Sequence, residues 1–362
     1  MSYQGFLTIE NPRKVVCLEG RNFRGFFIIN WRLDMKGNVI EVNKLTKTFK
    51  RYKKQEGLKG SIKGLFKREY VEKIAVNNFD LEIKEGEFVG LIGPNGAGKT
   101  TLVKMLTGIV APTQGEIEVL GYYPNKLENA FKQQYAIVMG QKSQLFFELT
   151  ADDTLRLFKE IYGLGEAEYK KNKEYFVKLF GVEELMDVQV RTLSLGERMK
   201  MELIVALLHN PKILFLDEPT IGLDAIASKQ IRTFLREVNE EKGTTIILTS
   251  HYMEDIKMLC KRSVVINSGQ KIYDGDTEQL FEQYQQYKKI TVSFEEPSQM
   301  ELDDQCVIVE KTPFKQIIQI PKQRSKEILE HIMGNFSPSD ISIEEEEIGN
   351  IVERIYKGKV GC

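Results

Sequence analysis

VGLIGPNGAGKTTLVKML, residues 89–106, changes its hydrophobic period half-way along. The opening VGLI is a short apolar run of the kind that forms a buried parallel strand, whereas TTLVKML spaces its apolar residues as a helix does. Between them, Gly93 to Thr100 keep the spacing GxxxxGK[ST]. Glycines let a backbone wrap closely around a phosphate, and the following helix N-terminus adds the positive end of its dipole. Gly93, Pro94, Asn95, Gly96, Ala97, Gly98 and Thr101 are therefore expected to cradle phosphates. Lys99 would reach the β- and γ-phosphates, and Thr100 would offer its hydroxyl to Mg2+.

Working outward, ILFLD (213–217) and TTIILTS (244–250) repeat the pattern of an apolar strand followed by a turn and a helix. Such alternation predicts an α/β core with a parallel sheet and ligands at the carboxyl ends of its strands. Asp217 closes the first of these strands 118 residues after Lys99, where a carboxylate can hold Mg2+ through water. Glu218 stands one step further and can take a proton from an attacking water. His251, just past the next strand, lies at the same edge and can touch a γ-phosphate. By contrast, His209 before Asn210-Pro211 and His331 in the tail read as structural.

Bulk properties narrow the class. With 362 residues, two domains or one with an appendage are expected. Lys+Arg 51 against Asp+Glu 52 gives no reason to expect nucleic acid. Cys17, Cys260, Cys306 and Cys362 form no CxxC pair, which fits free thiols in a reducing cytosol. No apolar run approaches the roughly 18 residues of a spanning helix. Residues 1–34 show no clean period and read either as an extension outside the fold or as an N-terminal strand pair. The α/β pattern runs over 35–285, with a helical subdomain at about 142–210. In it Thr150 and Asp153 cap a helix whose Leu155, Phe158 and Tyr162 share a face. Residues 286–362 read as a small α+β domain of three strands, a helix, a further strand and a last helix.

A second helix start follows VQVR (188–191), which reads as strand and loop: TLSLGERMK, residues 192–200. One chain would not need two phosphate cradles for one nucleotide. The order of motifs explains them. GPNGAGKTT, Gln141 in VMGQKSQLFFELT, LSLGE, ILFLDEP, and IGLDA before His251 together resemble the ATP-binding subunit of an ABC transporter over roughly residues 39–280.

That resemblance implies a P-loop NTPase cassette with a RecA-like parallel-sheet core, an antiparallel β subdomain and a helical subdomain. It further implies a Mg-dependent ATPase that pairs head to tail, as a homodimer or with a close relative, around two ATP. Such a subunit works on separate membrane permease subunits from the cytoplasmic face of the membrane. Ser194, Leu195, Gly196, Glu197 and Asp224 would meet the partner's ATP, and Gln141 would join Thr100 and Asp217 at Mg2+. Leu195 and Glu197 depart from the family's LSGGQ, and the glutamate adds negative charge where the family has an amide. Gln141 matches the family's glutamine better than Gln144, because the family's Leu-Thr lies about nine residues beyond it, as Leu149-Thr150 does here. Adenine would stack on Phe49, with Tyr52 the second choice. SLGERM, MGQKSQL and PTIGLD, with the small domain that follows, are most similar to exporter-type subunits. The rival reading is a soluble ABC ATPase of ribosomes or DNA repair. The basic insertion 50–69 reads either as a solvated loop or as an amphipathic segment on lipid headgroups.

Overall fold

In the computed structural model, residues 37–52, 70–140, 142–250, 252–298, 300, 305–346 and 354 are described. The extension 1–34, the insertion from 53 to 69, Gln141, His251 and the final helix apart from Arg354 lie outside the described residues.

The chain opens with an antiparallel pair, β1 (Asn38–Tyr52) and β2 (Tyr70–Lys84), followed by β3 (Phe88–Ile92), α1 (Lys99–Leu106) and β4 (Gln114–Val119). A short α2 (Asn129–Lys132) leads into β5 (Tyr135–Met139). Three helices come next: α3 (Ala151–Tyr162), α4 (Glu166–Phe180) and α5 (Leu195–Leu207). The core then resumes with β6 (Ile213–Asp217), α6 (Ala225–Lys242), β7 (Thr245–Thr249), α7 (Met253–Leu259), β8 (Arg262–Asn267), β9 (Gln270–Asp276) and α8 (Thr277–Tyr284). Last come β10 (Tyr287–Ser293), β11 (Val307–Lys311), β12 (Lys315–Pro321), α9 (Ser325–Asn335) and β13 (Asp340–Glu345).

Six strands form the central sheet in the order β5-β6-β7-β3-β8-β9, parallel except for β9. Every residue of FVGLI and TIILT is buried, as parallel strands covered on both faces require. Alternate side chains serve opposite layers. Phe88, Ile92, Leu214, Leu216, Ile246 and Leu248 join the apolar cluster of the helical side. Leu91, Ile213, Phe215 and Ile247 join the cluster shared with α1 and the antiparallel sheet β2-β1-β4. Burying each such side chain contributes about 1.5–3 kcal/mol before the entropy of ordering is subtracted.

Thr150 caps α3 by accepting from the Asp153 N–H at 3.1 Å, and Leu155 and Phe158 are buried beneath it. VQVR differs from the expectation of a strand. Gln189 makes one isolated bridge to Thr150, and Val190–Thr192 then turns as a 3-10 helix. The cause is local: its backbone bonds run to Phe147, Leu149 and Ala151, a segment that turns into the cap of α3 and so extends no ladder beyond that bridge.

The C-terminal strands make a separate antiparallel sheet, β11-β12-β10-β13, with its own apolar cluster centred on Ile290, Ile318, Ile328 and Ile332. Arg354 clamps the buried Glu346 and donates to the Tyr284 carbonyl at 2.8 Å, fastening the chain end to α8. No described helix is long and apolar enough to cross a membrane.

Candidate active site

Register brings the chemistry to one edge of the sheet. Met139, Asp217 and Thr249 lie opposite one another at the carboxyl ends of β5, β6 and β7, and Leu91 of β3 pairs with Thr249. The loop 93–98 leaves β3 at that edge.

Gly98, the N-cap of α1, has φ +115, and a Cβ there would meet the Ala75 carbonyl oxygen at 2.4 Å, so no other residue fits. No side chain caps α1 and its first turn holds no acidic residue. The free N–H groups of that turn therefore face outward as an anion site. Lys99, 6% exposed, donates to the carbonyls of Gly93 at 2.6 Å and Pro94 at 3.2 Å. Burial lowers its pKa, while Glu218 and Asp217 pull in the opposite direction. A hollow of about 230 Å3 is lined by Phe49, Lys73, Ala75, residues 95–101 and Glu218. This set fits a nucleotide triphosphate: uncapped N–H groups and an ammonium for the phosphates, and an exposed aromatic ring at the rim.

The same residues fit a divalent cation that arrives with its phosphates. The Thr100 hydroxyl donates to Asp217 Oδ2 at 3.3 Å, so two oxygens able to serve a cation, directly or through water, sit side by side. Among the described residues no three His, Cys, Asp or Glu gather into a metal cage. A Mg2+ bound there would take phosphate and water oxygens for the rest of its shell. Thr249, fully buried, donates to the other carboxylate oxygen of Asp217 and fixes its direction.

Glu218 has φ +56, left-handed backbone that costs a residue with a Cβ about 1–2 kcal/mol. Its N–H still bonds the Thr249 carbonyl at 2.9 Å, and the turn brings its side chain to the hollow beside Lys99.

Phe49 is 41% exposed and pairs across the strands with Lys73, while Lys47 Nζ stands 5.1 Å from its ring centroid. The side chain of Tyr52 lies outside the described residues. Gln144 is engaged elsewhere, its side-chain amide donating to the Ile137 carbonyl at 2.5 Å.

The second cradle is built differently. Ser194 caps α5 and closes a capping box: its Oγ accepts from the Glu197 N–H at 3.3 Å and its backbone N–H donates to the Glu197 carboxylate at 2.8 Å, while the Oγ also donates to that carboxylate at 2.7 Å. These bonds hold the Glu197 carboxyl below its usual pKa. Gly196 is required by close packing, since a Cβ would lie 2.9 Å from that of Ala227. Asp224 caps α6 through the Ala227 N–H at 2.8 Å, so both tips sit together. Leu195 and Ile226, 47% and 73% exposed, surround them. Among the described residues, none of 194–197 lines the hollow at Lys99.

Sequence reasoning missed Thr249, Lys73 and the buried Asp255. Asp255 accepts from Thr220, from Ser250 at 3.2 Å and from Arg232 at 2.8 Å, tying the turns after β6 and β7 together. A threonine ending an otherwise aliphatic strand was the available signal for Thr249. His209 proves structural: it stacks on Tyr162 at 4.0 Å, and burial depresses its pKa to about 4. Its depressed pKa gives stability that is fully present above 6.5 and drains away as pH falls toward 4. Melting temperature should therefore drop across that window. His209→Phe, which keeps the stacking and cannot take up a proton, should drop less steeply; an identical pH profile would remove the assignment.

The ABC transporter family model matches residues 76–221. The chain is similar to the ABC transporter ATP-binding protein NatA of Bacillus subtilis, with 38% identity over 208 residues, 58% of this chain and 84% of the relative. It is also similar to the Nod factor export ATP-binding protein I of Cupriavidus metallidurans, 35% over 214 residues, covering 59% and 70% respectively. Among solved structures, the ATP-binding cassette MJ0796, a post-hydrolysis dimer bound to ADP and Pi, superposes with TM-score 0.54 at 25% identity, covering 66% of this chain and 98% of that one.

Proposed function

Because this chain belongs to the ABC transporter ATP-binding proteins, ATP-hydrolysing subunits that serve a transporter, we propose that two copies close head to tail around two ATP and drive export through separate permease subunits. The carrying observation is the separation of the two cradles. The hollow at Lys99 is lined by residues 95–101 and Glu218 among others, and none of residues 194–197 lines it. A second copy supplies the missing half of each site.

In this reading Phe49 stacks the adenine, while the first-turn N–H groups of α1 and Lys99 hold the phosphates. Thr100 and Gln141 would hold Mg2+, with Asp217 holding it through water. Bound there, Mg2+ neutralises charge building on the transferred phosphoryl oxygens. Glu218 orients the attacking water and takes its proton, and His251 contacts the γ-phosphate. From the other copy, Ser194 and the N–H groups of Leu195 and Gly196 reach the γ-phosphate, and Asp224 lies at the seam. Ser194 must then release the Glu197 carboxylate that its hydroxyl now serves. Closing and reopening of the pair is what the permease converts into transport, with the chain peripheral on the cytoplasmic face. Export is supported by the Nod factor export relative.

Complementation tests the composite site. Ser194→Ala and Lys99→Ala homodimers should each be nearly inactive. Mixing them gives heterodimers with one intact site, and ATPase activity should reappear. No recovery on mixing would mean that each nucleotide is held by one copy alone.

A further inference from the structure

The helix that carries Ser194 also carries a buried carboxylate that the chemistry above leaves unused. Glu202 on α5 is 5% exposed, and its Oε1 accepts from the Ser143 hydroxyl at 2.5 Å and the Gln144 N–H at 2.7 Å. Burial raises its pKa, so keeping it ionised there has an energetic cost.

What the carboxylate grips is the segment leaving the metal edge of the sheet. Met139 lies opposite Asp217, the Gly140 N–H donates to the Asp217 carbonyl at 2.9 Å, and the Lys142 N–H closes onto the Met139 carbonyl at 2.9 Å. One residue later begins the pair that Glu202 holds. At 1.5 Å rise per residue, Glu202 and Ser194 are separated by roughly 12 Å along one rigid helix. The segment after β5 is thus bonded to the Asp217 backbone at Gly140 and to α5 at Ser143 and Gln144, and the tip of α5 is Ser194.

We propose that Glu202 is a positioning residue coupling the two nucleotide sites, so that ATP-Mg at one copy's Asp217 sets the angle at which α5 offers Ser194 to its partner. This rests on the head-to-tail reading. Its test uses the full chain carrying Glu218→Gln, so that ATP persists. Sedimentation with MgATP gives the dimer dissociation constant, and a fluorescent ATP titration at concentrations below pairing gives the affinity of the single copy.

Adding Glu202→Ala should weaken ATP-driven pairing about tenfold while single-copy affinity changes less than about twofold. Glu202→Gln, which keeps an acceptor oxygen for Ser143 and Gln144, should restore most of the loss. Pairing as tight as the parent's, or equal losses in pairing and single-copy binding, would overturn the proposal. Should Glu202→Ala fail to fold, Ser143→Ala removes one of the two bonds and should weaken pairing about threefold; parent-like pairing there overturns it equally. A Glu218→Gln parent that never pairs with MgATP removes the head-to-tail reading itself, and the coupling with it.

Discussion

Replacing Glu218 by glutamine is expected to lower ATP turnover by about 10^2–10^4-fold while ATP still binds and closed pairs accumulate. The geometry separates the two functions. In the proposed reading nucleotide is held by the uncapped start of α1, by Lys99 and by the ring of Phe49, and the substitution alters these only by removing the negative charge that Glu218 sets against Lys99. Glutamine keeps the size of the side chain and the left-handed backbone at φ +56, so the turn after β6 keeps its shape. What glutamine cannot do is take a proton from water. Without that step the transition state loses its base, and the closed state outlives its normal term. Phosphate release under saturating ATP measures the first effect, and gel filtration with and without MgATP the second. A variant that turns over at the parent rate would remove Glu218 from the role of base. One that no longer binds ATP would show that the residue holds nucleotide rather than attacks it.

The parallel core, the phosphate loop, Asp217 and the helix start at Ser194 were legible because each is written in contiguous residues whose period or spacing has one physical reading. VGLI and ILFLD are apolar on both faces, which only a doubly covered strand tolerates. Side-chain direction at the strand ends was not legible. Thr249 became the residue that orients Asp217 only through the register of β6 on β7. Asp255 gathers Thr220, Ser250 and Arg232 from three elements, and no spacing rule predicts such a meeting. Glu197 shows a subtler gap. Its place in LSLGE invited a question about phosphate, but Ser-x-x-Glu before an apolar run is also a capping box, and in this structure the box is closed. Gly196 enters the sequence reading only as a contact to the partner's ATP, and the close approach of Ala227 supplies an independent reason for glycine.

Lys99→Ala should show the reverse of the Glu218 pattern, with ATP affinity falling about 10–100-fold before any question of turnover arises. The estimate follows from losing a charge-assisted contact of about 1.5–3 kcal/mol. Two features push the effect toward the upper end. Lys99 is 6% exposed and fixed to the Gly93 and Pro94 carbonyls, so its ammonium is already positioned and little ordering entropy is spent on binding. It also offsets Glu218 and Asp217, whose charges act directly on it. Without the ammonium those carboxylates would face incoming phosphates with less positive charge to oppose them. Arginine is not a conservative rescue: its planar fork is bulkier than the ammonium in a hollow of about 230 Å3 and would displace the phosphates it should hold. Fluorescent-nucleotide titration of Lys99→Ala and Lys99→Arg, checked by thermal melting for intact folding, decides the matter. If the alanine variant folds normally and binds MgATP within twofold of the parent, the ammonium does not carry the phosphates. Nucleotide capture would then fall to the helix start of α1 alone.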